Sequence, residues 1–212
     1  MEILYEPYHI GIKLHPYTNL DILKERLKKE LGRRGYEIPR EIVTEPIKIG
    51  PPEEIIGIKE DTQVVIRRDL QALNTRGTSP MSVSSVFKEI TDLLPNLGYE
   101  LDALVQFYEI IATMNIKTSK KPVEILKKAI RIRRQKMILR TLGKVKILGV
   151  HIGVERKGRV SMDLIIEPNP TSPTSRLWVK VRFRSKNKAE VETFHEELEK
   201  NIREMIEFLE GA

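Results

Sequence analysis

Tyr8-His9-Ile10-Gly11-Ile12-Lys13-Leu14-His15 puts Tyr8, Ile10, Ile12 and Leu14 on one side of the chain and polar or small residues on the other. This period of two predicts a strand with one buried face. Downstream, Asn19 precedes Leu20, Leu23, Leu27 and Leu31 at three-and-four spacing, with Gly32 and Gly35 behind them, the pattern of a capped amphipathic helix. Extended stretches broken by Pro39, Pro46, Pro51 and Pro52 follow. Residues 54–58 and 63–68 then read as a hairpin turned by Lys59-Glu60-Asp61-Thr62. Extended sequence runs to Leu73 and gives way to the turn-rich Asn74-Thr75-Arg76-Gly77-Thr78-Ser79-Pro80. A second helix is marked by Val83, Val86, Phe87, Ile90 and Leu94 and ended by Pro95 and Gly98.

The second half repeats that order. Leu101 to Ile116 suits a long buried strand, with helix as a competitor because an apolar run does not separate the two. Pro122 opens a helix running to about Arg134. Residues 144–155, 160–167 and 176–186 follow as three strands, and residues 188–210 form a final helix striped by Val191, Phe194, Leu198, Ile202, Met205 and Leu209. The expected fold is therefore α+β: two similar β-α-β-β-β-α halves, 1–98 and 99–212, forming one compact unit. Strands joined by short connections should pair antiparallel, with helices on one face of each sheet, and the two sheets are able to join edge to edge. In element order alone, this pseudo-twofold arrangement resembles saddle-shaped nucleic-acid proteins such as the TATA-binding protein.

Composition narrows the chemistry. The 212 residues are 40% hydrophobic, enough for a core, and contain no cysteine, which excludes disulfides, thiolate zinc sites and Cys nucleophiles. Charged residues reach 32% and there are four Gln, a balance that points to a heat-loving source. With no long apolar run and no basic-then-apolar start, the expectation is a soluble, cytoplasmic protein.

The net charge of +7 is local. Residues 117–146 hold twelve bases and one acid, Glu124, so the remaining 182 residues sum to −4. Within this segment Lys127, Lys128, Arg131 and Arg134 gather on the outer face of the predicted helix. A second basic surface has stricter geometry. In residues 176–186 the odd positions 177 to 183 are apolar, whereas Arg176, Trp178, Lys180, Arg182, Arg184 and Lys186 occupy the even ones. Pleating turns the second set to one exposed face, with cations about 7 Å apart beside the chain's only tryptophan. This is the composition of a surface that tracks phosphates and stacks bases. It is equally that of a charged face protecting a sheet from aggregation. The last helix, with eight acids and three bases, is able to neutralise a basic surface within the chain or across a dimer.

Templates for catalysis are missing. No G-x-G-x-x-G or G-x-S-x-G occurs, and Gly143-Lys144 lacks both the upstream glycine and the following Ser or Thr of a phosphate loop. His195-Glu196 meets Glu199 where a zincin needs histidine, so His195 reads as a helix-surface residue. His9 and His15 lie about 20 Å apart along a strand, too far to share a metal. No cofactor or metal is expected. Arg76, Ser82 and Ser84 near a helix start form a weak anion-site candidate. The leading reading is a non-enzymatic module engaging an anionic partner, nucleic acid foremost. The alternatives are a homodimeric scaffold in which the acidic helix pairs with the basic one, and a small-ligand binder or enzyme with a sheet–helix pocket near Tyr99, Phe107 and Tyr108.

Overall fold

The computed structural model describes residues 1–39, 53–129, 149–156 and 160–211. Its elements run β1 (Ile3–Leu14), α1 (Leu20–Arg33), β2 (Glu53–Lys59), β3 (Thr62–Arg67), β4 (Ala72–Gly77), α2 (Pro80–Asn96), α3 (Leu101–Leu104), β5 (Val105–Lys117), α4 (Pro122–Ala129), β6 (Val150–Arg156), β7 (Val160–Pro168), β8 (Arg176–Ser185) and α5 (Lys188–Gly211). The eight strands form one antiparallel sheet in the order β2-β3-β4-β1-β5-β8-β7-β6. Read outward from the β1–β5 seam, each half repeats the same order, so the fold is α+β and pseudo-duplicated. The boundary placed at 98/99 falls in the turn between α2 and α3.

The repeat extends to detail. α1 and α2 both end in a Schellman motif on a glycine in the left-handed region: Gly35 at φ 80°, with the Tyr36 amide donating to Leu31, and Gly98 at φ 84°, with the Tyr99 amide donating to Leu94. Only glycine takes that conformation without a steric penalty. α1 is capped by Asn19, whose side chain accepts from the Asp21 and Ile22 amides.

Even positions of β1 (Tyr8, Ile10, Ile12, Leu14) join Ile110, Ala112, Met114, Val179 and Val181 beneath the helices in a single core shared by both halves. Near the start of β1 the register shifts between Tyr5 and Tyr8, where Pro7 has no amide to donate to the ladder. Tyr5 and Tyr8 thus both face the helices, ring to ring at 5.7 Å.

Two elements depart from expectation. The turn-rich 74–80 stretch is largely strand: β4 runs to Gly77, hydrogen-bonded on both sides, because Leu73 and Thr75 are buried while Asn74 and Arg76 alternate outward. The turn itself lies at 68–71, with Gln71 at φ 47°. Leu101–Leu104 is a helical turn instead of the start of a strand, its Leu104 amide bonded back to Glu100.

Candidate nucleic-acid interface

The described helices lie on one side of the sheet, so residues 9, 11 and 13 of β1, the odd residues of β5 and the even residues of β8 form an open face. Register aligns them in rows across both halves. One row is Gln63, Arg76, His9, Ile111, Arg182 and Asp163; the next is Val65, Asn74, Gly11, Glu109, Arg184 and Ser161. Facing neighbours in such rows have Cβ atoms about 5 Å apart.

The middle of this face is a hollow of about 410 Å³ spanning β3, β4, β1, β5 and β8. It exists because the central positions are small: Gly11 and Ala72 lie on its floor, framed by Arg67, Arg76, Phe107, Lys180 and Arg184. A Cβ at Gly11 would overlap the Asn74 carboxamide, so glycine is what lets Asn74 lie flat across β1. Five cationic side chains (Lys13, Arg67, Arg76, Lys180, Arg184) and two carboxylates (Glu53, Glu109) line the hollow.

Electrostatics there are graded. Arg76 is bonded to Glu53 and Gln63, and Arg67 to Asp69 at 2.8 Å. Arg184 reaches Glu109 at 2.7 Å while its guanidinium sits 5.0 Å over the Phe107 ring. Lys180 has no ion-pair partner among the described residues. His9 is pushed down to about 4 by burial and by Arg76, with Arg67 and Lys180 adding to the effect and Glu53 opposing it. At neutral pH it is therefore an uncharged imidazole among cations.

The β8 row is assembled as its alternation predicts. Leu177, Val179, Val181 and Phe183 are buried and Arg176, Trp178, Lys180, Arg182 and Arg184 are partly exposed. Carboxylates attend its arginines: Glu2 lies 3.3 Å from Arg176 and Asp163 lies 2.7 Å from Arg182. The Arg182 hydrogen bond holds the Asp163 carboxyl below its ordinary range. Lys186 lies past the strand end and lines a separate hollow of about 560 Å³ with Phe107, Tyr108 and Asp102.

Other candidates disperse. Lys127 is exposed on α4, whose Ile125 and Leu126 pack into the core on the helix side, away from the open face. Lys128 follows it in α4, and Arg131 and Arg134 lie outside the described residues. Arg76 does not meet Ser82 or Ser84. It points to the open face, whereas Thr75 beside it bonds Val83 on the helix side, and the Ser82 amide and hydroxyl meet the Ser79 hydroxyl that caps α2. Tyr99 lines a third hollow with Arg26 and Tyr17, apart from Phe107. His195 is not a free surface histidine: its Nδ1 lies 2.6 Å from the buried Tyr8 hydroxyl. The basic segment meets the acidic helix within the chain, where the Ser119 amide donates to Glu210 at 2.6 Å.

Sequence reasoning missed His9, Lys13, Arg67 and Asn74 as partners of β8, because their proximity rests on strand pairings far apart in sequence. Among the described residues no group of three or more His, Asp or Glu is placed to hold a metal ion, and no helix is long and apolar enough to cross a membrane.

No family model matches the chain, and no curated protein matches it. Among solved structures, Methanococcus jannaschii TBP is similar at a TM-score of 0.37 and 11% identity over 100% of both chains. A likeness of that size carries no statement about function.

Proposed function

We propose that this chain is a non-enzymatic nucleic-acid-binding module whose interface is the open face of the sheet. The observation that carries the reading is the meeting of two sequence-distant basic sets, Arg67 and Arg76 from one half and Lys180 and Arg184 from the other, around one hollow. Lys180, Arg182 and Arg184 supply phosphate contacts along β8, Arg76 and Lys13 supply them across the seam, and Trp178 and the stacked Phe107–Arg184 pair offer flat faces for bases.

The carboxylates near these arginines do not oppose the reading. Partly exposed ion pairs contribute about 0–1 kcal/mol and are screened by salt, so a polyanion presenting many phosphates is able to displace them. Lys127, Lys128, Arg131 and Arg134 add positive charge to the chain and contribute to encounter more than to positioning.

Fluorescence titration with DNA and RNA at low and high salt tests this. Binding that weakens steeply with salt and is lost in Arg182→Glu, Arg184→Glu supports it; no binding at low salt, or unchanged binding by that variant, refutes it.

A further inference from the structure

We infer that the central hollow seats one nucleoside phosphate, so the open face takes single strands in preference to duplex. The inference rests on the nucleic-acid reading and adds a ligand class to it. At about 410 Å³ the hollow lies within the range of small-molecule sites, roughly 300–1,000 Å³. A rigid duplex meets a sheet as a cylinder and leaves such a depression unfilled, whereas an unpaired nucleotide fits into it.

The lining divides by chemistry. Phe107 and Ile111 give the hollow an apolar side, and the Arg184 guanidinium lies 5.0 Å over the Phe107 ring, so a base that enters stacks on the outer face of that planar cation with the ring behind it. Across the hollow, Arg76, which a phosphate would share with Glu53, and Lys180, without an ion-pair partner among the described residues, flank His9, giving a phosphate two cations and an imidazole able to donate. Asn74, lying flat over Gly11, presents a carboxamide to a base edge or sugar. The same chemistry is offered by a free nucleotide and by one residue of a strand, and the experiment separates the two.

The test uses the full chain with a fluorescein-labelled oligouridylate, the same strand annealed to its complement, and uridine monophosphate as competitor. The expected result is tighter binding of the single strand than of the duplex, competition by the monophosphate, and about tenfold weakening in Phe107→Ala and in Lys180→Glu. Lys200→Glu, exposed on α5, should leave binding unchanged. Equal binding of strand and duplex without competition overturns the hollow as a site and leaves the nucleic-acid reading standing. Binding of the monophosphate without either polymer supports the hollow and overturns the nucleic-acid reading. No binding by any probe overturns both. Because Phe107→Ala alters packing, Lys180→Glu gives an independent arm, and binding unaffected by both variants contradicts the proposal.

Discussion

The Tyr8 hydroxyl lies 2.6 Å from His195 Nδ1, so the first strand and the last helix share a hydrogen bond at the edge of the common core. Burial pushes the Tyr8 hydroxyl far above its ordinary range and lowers the His195 imidazole, so both groups are held neutral. His195→Ala leaves Tyr8 without that partner, and a loss of about 1–3 kcal/mol is expected in denaturant unfolding. Adding Tyr8→Phe should recover part of it.

Both perturbed histidines make stability depend on pH with one sign. His9 is lowered from 6.5 to about 4 and His195 is lowered as well, so below pH 6.5 the unfolded chain binds protons that the folded chain does not. Stability should fall as pH drops through 6.5 and, for His9, level off below about 4. His9→Gln should flatten that slope in thermal melts recorded across the window. A phosphate beside His9 stabilises the imidazolium against Arg76, Arg67 and Lys180, with Glu53 already acting in that direction. Affinity for the oligonucleotide, whose phosphodiesters keep their charge throughout, should therefore rise as pH falls through the same window.

Asp163 restrains Arg182. Asp163→Asn should raise affinity for nucleic acid and steepen the salt dependence by about one phosphate contact, while costing less than about 1 kcal/mol of stability because both side chains are partly exposed. Lower affinity in the variant would mean that Arg182 acts only within the pair.

Gly11→Ala evicts the Asn74 carboxamide from the floor of the hollow. The nearest obstructing group is a side chain able to rotate, and the Leu73 carbonyl oxygen at 3.2 Å need yield only slightly, so the expected cost in stability is about 1 kcal/mol, whereas uridine monophosphate binding should fall several-fold. A stability loss of several kcal/mol with unchanged binding would contradict this view of the floor.

What was legible in the sequence follows from where the information sits. The alternation of β8 appears because one face is buried in a uniform core and the other is charged; period and composition agree residue by residue. β4 was obscured by its Asn-Thr-Arg-Gly content, which reads locally as turn and becomes strand only through ladder bonds to β1 and β3. The β1 pattern begins at Tyr8 because the register shift beside Pro7 breaks the period behind it. The hollow itself could not be read, since Arg76, His9 and Lys180 meet through pairings whose register no local pattern encodes.

Lysine acylation with and without bound oligonucleotide, read by mass spectrometry, tests the central claim most directly. The open-face account predicts protection of Lys180 and Lys13 with Lys127 and Lys200 unchanged. Protection confined to Lys120, Lys121 and Lys127, with Lys180 still reactive, would contradict it.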